Sequence, residues 1–117
     1  MNSAVRPVLR LGWVLCCLAA SARAEAAAHV VVIDGMRFTP QVVKVKPGDT
    51  ITWQNRDMVA HDVTAKAVNV SSGTLAPGQS WRYTVRGGAF DYACTLHPMM
   101  TGRVELEGAH LAIRRQR

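Results

Sequence analysis

The stretch FDYACTLHPMM, residues 90–100, carries the strongest signals for fold and chemistry in this chain of 117 residues. Its first half alternates apolar Phe90, Tyr92 and Cys94 with the residues between them, which is the period of a half-buried β-strand. Its second half places a thiol, an imidazole and a thioether at C-x2-H-x2-M spacing, where that strand ends. We therefore expect a β-strand that ends in a cluster of metal-ligating side chains.

The same period-two alternation recurs in short segments along the rest of the chain. These segments are residues 43–46, 50–54, 81–85 and 103–107, and turn dipeptides such as Asp34-Gly35, Pro47-Gly48, Pro77-Gly78 and Gly87-Gly88 separate the strands. His29–Asp34 (HVVVID) is more continuously apolar, so we expect a strand that is buried on both faces. Residues 65–80 predict no clear strand. Short strands at close spacing, without a helical stripe, predict an all-β fold in which two sheets pack as a sandwich.

Residues 1–24 have the pattern of a secretory signal peptide. Arg6 and Arg10 precede the ten-residue apolar run LGWVLCCLAA, residues 11–20, and Ala22-Arg23-Ala24 fits the A-x-A cleavage signal. A membrane anchor is the alternative, but a transmembrane helix needs about twenty apolar residues, roughly twice the length of this run. We predict a cleaved leader and an exported protein.

Removal of this leader would leave one domain over residues 25–107 and a basic tail over residues 108–117. Of the three cysteines only Cys94 would remain, and a lone cysteine cannot form an internal disulfide. The net charge would fall from +6 to +3, because three arginines leave with the leader, and three arginines of the tail account for that remainder. The domain itself is then about neutral, which gives no support to nucleic-acid binding.

The sulfur ligands at the end of the strand favour copper over other metals. Zinc is bound by cysteine, histidine and carboxylates, and a c-type haem site would need a second cysteine in C-x-x-C-H. A thiolate, two imidazoles and a weak axial methionine form the blue-copper arrangement, so a second histidine must come from elsewhere. Of the other histidines, His110 lies in the polar tail and His29 begins a strand, whereas His61 follows a strand by a short loop. We predict that His61 joins Cys94 and His97 at one end of the sandwich.

Several segments resemble the plastocyanin, pseudoazurin and amicyanin group of cupredoxins. They are FTP at residues 38–40, VKPGDTITWQN at residues 45–55 and HDV at residues 61–63, and the FDYACTLHPMM stretch is similar to the short ligand loop of amicyanins. The resemblance extends over residues 30–107. It implies a two-sheet Greek-key β-sandwich of about seven or eight strands, in a soluble periplasmic protein that carries single electrons.

By position, the resemblance implies a type 1 (blue) copper site in which one ion is bound by His61, Cys94, His97 and Met100. In the family, the edge of the second histidine passes the electron to redox partners through an apolar surface patch. The residues that we expect to line this patch are Val59, Ala60, Pro98 and Met99. We expect a monomer that contacts its redox partners transiently, as suits a small apolar surface.

The chain departs from the family pattern at two positions near the expected ligands. Asp62 stands where the family usually has Asn. Its backbone N–H can still donate to the Cys94 sulfur, its carboxylate can accept from the Thr95 hydroxyl, and its charge should favour Cu(II). Met99 stands where amicyanins have an aromatic residue, so sequence alone leaves Met99 as an alternative to Met100 for the axial sulfur.

A second function compatible with these residues is copper handling by a periplasmic chaperone or resistance protein that passes on Cu(I). Such carriers tend to be rich in methionine, whereas residues 25–117 contain four. A multicopper oxidase or reductase would need further metal centres built from additional histidines, and only two histidines remain for them. We therefore predict an electron-transfer protein and not an enzyme.

Overall fold

The computed structural model describes residues 25–108 of this chain, so the predicted signal peptide and the predicted tail beyond Gly108 lie outside the described residues. The strands in the described part are β1 (Ala28–Asp34), β2 (Arg37–Thr39), β3 (Val42–Val45), β4 (Thr50–Asn55), β5 (Thr64–Ala65), β6 (Val70–Ser71), β7 (Ser80–Thr84), β8 (Phe90–Cys94) and β9 (His97–Leu106). One short 3-10 helix, Lys66–Val68, lies between β5 and β6. Within residues 25–108, no helix has the length and apolar character needed to cross a membrane.

The strands form two mixed sheets, which confirms the predicted all-β sandwich. One sheet has the order β2-β1-β4-β7 and the other has the order β3-β9-β8-β5-β6. Most neighbouring strands are antiparallel, but β1 runs parallel to β4 and β3 runs parallel to β9. The described strands number nine, close to the seven or eight that were expected, and two of them, β5 and β6, are two-residue strands at the start of or within the stretch that lacked a clear pattern.

The core is built from alternate residues of strands in both sheets. In β4 every second residue is buried, and in β8 the buried residues are Phe90, Tyr92 and Cys94. Trp53 of β4 is fully buried, and its ring packs edge-on against Tyr92 of the other sheet with ring centroids 5.5 Å apart. Burial of a large apolar side chain stabilises a fold by about 1.5–3 kcal/mol. These contacts hold the two sheets together behind the strand ends that bear the predicted ligands.

Strand β1 differs from the prediction of a strand buried on both faces. Val31 and Ile33 are fully buried, whereas Val30 is 49% exposed and Val32 is half-buried. The physical reason is that β1 belongs to one layer of a two-layer sandwich, so one face of its sheet meets the other sheet. A continuous apolar run by itself does not distinguish this position from a strand that is covered on both sides.

Strands from the two sheets deliver the predicted ligands to one end of the sandwich. β4 ends at Asn55, ahead of the loop that leads to His61, and His61 forms an isolated β-bridge with Leu75. β8 ends at Cys94, and a two-residue turn leads directly into β9 so that His97 pairs with Cys94. The ladder shifts register at the end of β8. A tight hairpin therefore fixes the spacing between Cys94 and His97.

Candidate metal centre

The structure brings His61, Cys94 and His97 together as one group of metal-ligating side chains. One ligand atom from each residue lies within 4.8 Å of the others. The Cys94 Sγ is 3.7 Å from His61 Nδ1 and 3.8 Å from His97 Nδ1. The two imidazole rings have centroids 5.0 Å apart. The loop after β4 and the β8–β9 hairpin therefore converge, as the sequence predicted, on a space of the size that one metal ion needs.

His61 is held on its far side by hydrogen bonds that leave Nδ1 facing the cluster. The side chain is fully buried, and its backbone N–H and C=O both bond to Leu75, at 3.1 Å and 2.7 Å. His61 Nε2 lies 2.9 Å from Asp57 Oδ2. Because a carboxylate accepts hydrogen bonds, this contact places the ring proton on Nε2 and leaves the lone pair of Nδ1 free for a metal.

Asp57 and Asn55 support His61, although neither was predicted from the sequence to do so. The Met36 N–H donates to Asp57 Oδ2 at 3.0 Å, and this bond, followed by the one from His61, holds the pKa of the Asp57 carboxyl below its usual value. The Asn55 side chain is buried and accepts from the Asp57 N–H at 3.0 Å, while its amide donates to the carbonyls of Val59 and Leu75, each at 2.9 Å. The signal in the sequence was an Asn-x-Asp turn directly after a strand.

Cys94 is fully buried, and Asp62 anchors it as expected. The Asp62 N–H donates to Cys94 Sγ at 3.4 Å. The Asp62 carboxylate accepts from the Thr95 N–H at 3.0 Å, from the Thr95 hydroxyl and from the Thr64 hydroxyl at 2.8 Å. Asp62 therefore joins the His61 loop to the β8–β9 turn, and its amide lowers the electron density on the sulfur.

Met99 and Met100 lie on opposite faces of the start of β9. Met100 is buried in the same core as Cys94, whereas Met99 is 96% exposed. His97 is half-buried, so one part of its ring faces the buried cluster and another part reaches the surface. Of the other residues expected to line the surface patch, Val59 and Pro98 are exposed and Ala60 is half-buried. The structure thus separates a buried thioether from a solvent-facing one, a distinction that spacing alone could not make.

The remaining histidines do not join this cluster in the described residues. His29 lies on β1, where its Nε2 is 2.9 Å from Asp49 Oδ2 near the opposite end of β4. His110 lies outside the described residues. Of the histidines that the structure describes, His61 and His97 alone belong to the group of potential ligands around Cys94.

The donor set of this site fits copper. Two imidazole nitrogens and a thiolate can form a trigonal plane, and a buried thioether nearby can act as a weak axial donor. Thiolate and thioether are soft ligands suited to Cu(I), and imidazole suits both Cu(I) and Cu(II). A structural zinc site would close with four strong ligands, and the described residues around Cys94 offer three.

Comparison with known proteins agrees with the fold. A family model described as Cupredoxin-like domain matches residues 7–104. The chain belongs to the cupredoxin family. Amicyanin from Paracoccus denitrificans is 35% identical to this cupredoxin over 94 residues, which are 74% of this chain and 72% of that protein. Amicyanin-alpha from Methylorubrum extorquens is 32% identical over 96 residues, which are 77% and 81% of the two chains.

Solved structures resemble the cupredoxin in the same way. A reduced amicyanin mutant has a TM-score of 0.61 at 34% identity, covering 68% of this chain and 82% of that one. A purple cupredoxin from Nitrosopumilus maritimus has a TM-score of 0.63 at 23% identity, covering 68% and 99% of the two chains, and at this identity the likeness concerns the fold. The predicted resemblance to amicyanins is therefore confirmed for the fold and the family.

Proposed function

We propose that this cupredoxin binds one copper ion through His61, Cys94, His97 and Met100 and carries single electrons between redox proteins. The observation that supports this most directly is the placement of two imidazole nitrogens within 3.8 Å of a fully buried cysteine sulfur. Met100 is the proposed axial ligand because it is the buried one of two adjacent thioethers. Copper, when bound, supplies a centre that alternates between Cu(I) and Cu(II).

The chain's own contribution is to hold these ligands in one arrangement for both oxidation states. His61 is fixed by Asp57 and by its bridge to Leu75, and Cys94 is fixed by the Asp62 amide and by the tight turn that follows it. Ligands restrained in this way move little when the charge of the ion changes. Small rearrangement favours fast electron transfer, because less energy is needed to reorganise the site.

We propose that partners dock around His97, whose ring is the half-buried ligand of the site. The residues proposed to contact partners are Val59, Ala60, Pro98 and Met99, of which Val59, Pro98 and Met99 are exposed. A partner that covers this small apolar rim brings its own redox centre close to the imidazole edge. Weak and transient complexes suit such a surface, which is smaller than a stable interface.

We further propose that residues 1–24 are a cleaved leader and that the cupredoxin works in the periplasm. The proposed cleavage leaves the described sandwich intact: the Ala27 N–H donates to Asp49 Oδ1 and the Ala27 carbonyl accepts from the Thr50 N–H, three residues after the proposed cleavage site. Near the other boundary of the proposed domain, the Glu107 N–H donates to the Val45 carbonyl, so residue 107 still belongs to the described sandwich. Intact-mass analysis of the periplasmic protein should give a chain that begins at Glu25.

Copper loading followed by spectroscopy and voltammetry tests the proposed function. We expect an intense blue absorption and reversible one-electron cycling, and we expect Cys94→Ser to lose the blue band while retaining the β-sandwich, because a hydroxyl does not replace a soft thiolate. A blue band that survives in Cys94→Ser would contradict the ligand assignment. A colourless protein that binds Cu(I) only would instead favour copper handling, the function to which the exposed Met58 and Met99 point.

A further inference from the structure

Three of the four methionines within residues 25–108 are exposed, and they lie at the end of the sandwich that bears the metal centre. The exposed fraction is 92% for Met58, 96% for Met99 and 42% for Met36, whereas Met100 is buried. Methionine normally fills apolar cores. Packing therefore does not explain three solvent-facing thioethers at one end of a small domain.

Asp57 holds the backbones of Met36 and Met58 next to each other. The Met36 N–H donates to Asp57 Oδ2 at 3.0 Å, and the Met58 N–H donates to Asp57 Oδ1 at 3.1 Å. Both amides therefore end on a single carboxylate group. Methionine side chains are long and have three rotatable bonds, so the two sulfur atoms can approach the same point.

Met36 and Met99 line one cavity, which has a volume of about 410 Å³ and also touches Met100. Met36 has a φ of 60°, a left-handed conformation that is uncommon for residues other than Gly, Asn and Asp. In the turn Gly35-Met36, glycine or asparagine at position 36 would adopt this conformation with less strain. The chain thus places a thioether beside the cavity at a position where the backbone favours another residue.

We propose that Met36, Met58 and Met99 form a second, solvent-facing site for a soft monovalent cation, Cu(I) or its analogue Ag(I). Thioether sulfur is a soft ligand and selects Cu(I) over the hard cations that oxygen ligands prefer. Arg37 also lines the cavity, and its charge repels a divalent ion about twice as strongly as a monovalent one. Binding replaces water on the ion by three sulfurs, with no change of oxidation state and no release of a proton.

This site is separate from the proposed copper site, because none of its three sulfurs belongs to His61, Cys94, His97 or Met100. Met99 precedes Met100 directly in β9, so an ion on the exposed thioethers lies on the surface that leads to the buried ligands. Binding of an ion by these three sulfurs does not depend on electron transfer at the buried site. The number of metal ions bound per chain can be measured whether or not the buried site cycles between oxidation states.

Titration of the copper-loaded protein with Ag(I) tests the proposal. Native mass spectrometry gives the number of ions per chain, calorimetry gives the affinity, and the visible absorption reports whether copper remains in place. We expect one Ag(I) per chain to bind with the copper absorption unchanged. If no Ag(I) binds, or if Ag(I) binds only by displacing copper, the proposal is overturned.

Leucine variants identify the ligands, because leucine keeps an apolar side chain of similar size and removes the sulfur. We expect Met36→Leu, Met58→Leu and Met99→Leu each to weaken Ag(I) binding by about tenfold or more, the effect of losing one modest interaction. The triple variant should bind no second ion. Val68→Leu changes an exposed apolar residue that does not line the cavity, and it should bind Ag(I) like the wild type.

The triple variant also separates this proposal from the proposed function. Retention of the second Ag(I) by a folded triple variant would overturn the thioether site and leave the buried copper site untouched. The opposite result is also possible. If the copper-loaded wild type shows no blue absorption but binds one more Ag(I) than the triple variant, the electron-carrier function is contradicted and the thioether site is supported. Circular dichroism establishes that each variant retains its β-sheet content.

Discussion

Two carboxylates fix the ligand loops from different sides of the metal centre. Asp57 accepts from His61 Nε2, and Asp62 accepts from the amide and hydroxyl of Thr95. Each hydrogen bond orients a ligand or a ligand-bearing turn, and each carboxylate also brings a negative charge close to the ion. A negative charge stabilises Cu(II) more than Cu(I), because the attraction scales with the charge of the ion. These two residues therefore act on geometry and on reduction potential together.

Asp62→Asn should raise the reduction potential of the copper-loaded protein. Asparagine has the same shape and its side-chain oxygen can still accept from the Thr95 amide, so the substitution mainly removes the charge. We expect a rise on the order of 50 mV, which corresponds to about 1 kcal/mol of Coulomb energy. Cyclic voltammetry measures it. Asp91→Asn, at an exposed carboxylate paired with Arg103, is the control and should leave the potential unchanged.

A lowered or unchanged potential in Asp62→Asn would contradict this account of the Asp62 charge. The blue absorption should remain in both variants. If the blue absorption is lost in Asp62→Asn alone, the carboxylate is needed to position Thr95 and the ligand-bearing turn, and does not only shift the reduction potential.

Met100→Leu should raise the reduction potential and keep the blue colour, because Cu(II) loses a weak axial donor while the trigonal ligands remain. Met99→Leu should change the potential much less, since the Met99 side chain is 96% exposed. Voltammetry of the two variants under the same conditions compares them directly. The reverse ranking would assign the axial sulfur to Met99.

The convergence of His61, Cys94 and His97 could be predicted because strand patterns place both ligand-bearing loops at the same end of a sandwich. The contacts of Asp62 and Thr95 could also be expected, because each of these residues is adjacent in sequence to a candidate ligand. The contact of Asp57 with His61 was not expected, because a carboxylate in a polar loop has no periodic signal and the Asn-x-Asp turn indicates only a local bend. Its role depends on a loop that folds back until the carboxylate reaches a ring four residues later.

At the scale of elements, the β8–β9 hairpin both carries ligands and closes the core. Tyr92 of β8 pairs across the ladder with Gly102 of β9, and the Tyr92 ring lies where a side chain on residue 102 would project. Phe38 packs edge-on against the same ring at a centroid distance of 4.8 Å. Burial raises the pKa of Tyr92 to about 12, which agrees with a phenol enclosed in the core. The hairpin therefore depends on a residue without a side chain at position 102.

Gly102→Ala should destabilise the sandwich, because an added Cβ would lie 2.2 Å from Cζ of Tyr92. Overpacking of a filled core typically costs roughly 1–3 kcal/mol, and we expect a loss of unfolding free energy in that range. Urea unfolding measures it, with Thr101→Ala at an exposed neighbour as the control. Tyr92→Leu removes the ring, so the double variant should lose less stability than the two single losses added together. If the losses of unfolding free energy in the two single variants simply add in the double variant, the clash between residue 102 and the Tyr92 ring is refuted.

The strand pattern predicts β4 and β8 well, because in both strands buried residues on one face of the sheet alternate with less buried residues on the other face. It fails for β5 and β6, since two residues are too few to show a period. It also overstates the burial of β1, where β-branched residues occupy both faces although only one face meets the core. Strand existence is a local property, whereas burial of a face depends on which layer the strand joins.

At the scale of the whole molecule, buried polar groups at the two ends of the sandwich serve different purposes, one functional and one structural. One end bears the metal centre, and at the other end, where β4 begins, Asp49 binds the backbone of Ala27. There Asp49 is buried and accepts from the N–H groups of Ala27 and Lys46 and from His29 Nε2, each at 2.9 Å. A single carboxylate thus joins β1, the turn before β4 and the N-terminal residues of the domain. An ionised carboxylate can accept all three bonds at once, and its charge strengthens each of them.

Asp49 should make the stability of the domain depend on pH in acid. The Lys46 amide, followed by His29 and the Ala27 amide, lowers the pKa of the Asp49 carboxyl from 3.8 to about 2 in the folded protein. A group whose pKa is lowered by folding stabilises the fold above its unfolded pKa, and this contribution is lost as the pH falls through the folded pKa. The contribution should therefore be complete above about pH 4 and disappear near pH 2.

Thermal unfolding of wild type and Asp49→Asn between about pH 2 and pH 6, a range that brackets both pKa values, tests this dependence. Both proteins are copper-loaded, so that titration of the metal ligands affects them equally and cancels in the difference between their melting temperatures. We expect Asp49→Asn to melt at a lower temperature above pH 4, with the two curves converging as the pH approaches 2. A difference that stays constant over this range would mean that Asp49 acts through the shape of its hydrogen bonds and not through its charge.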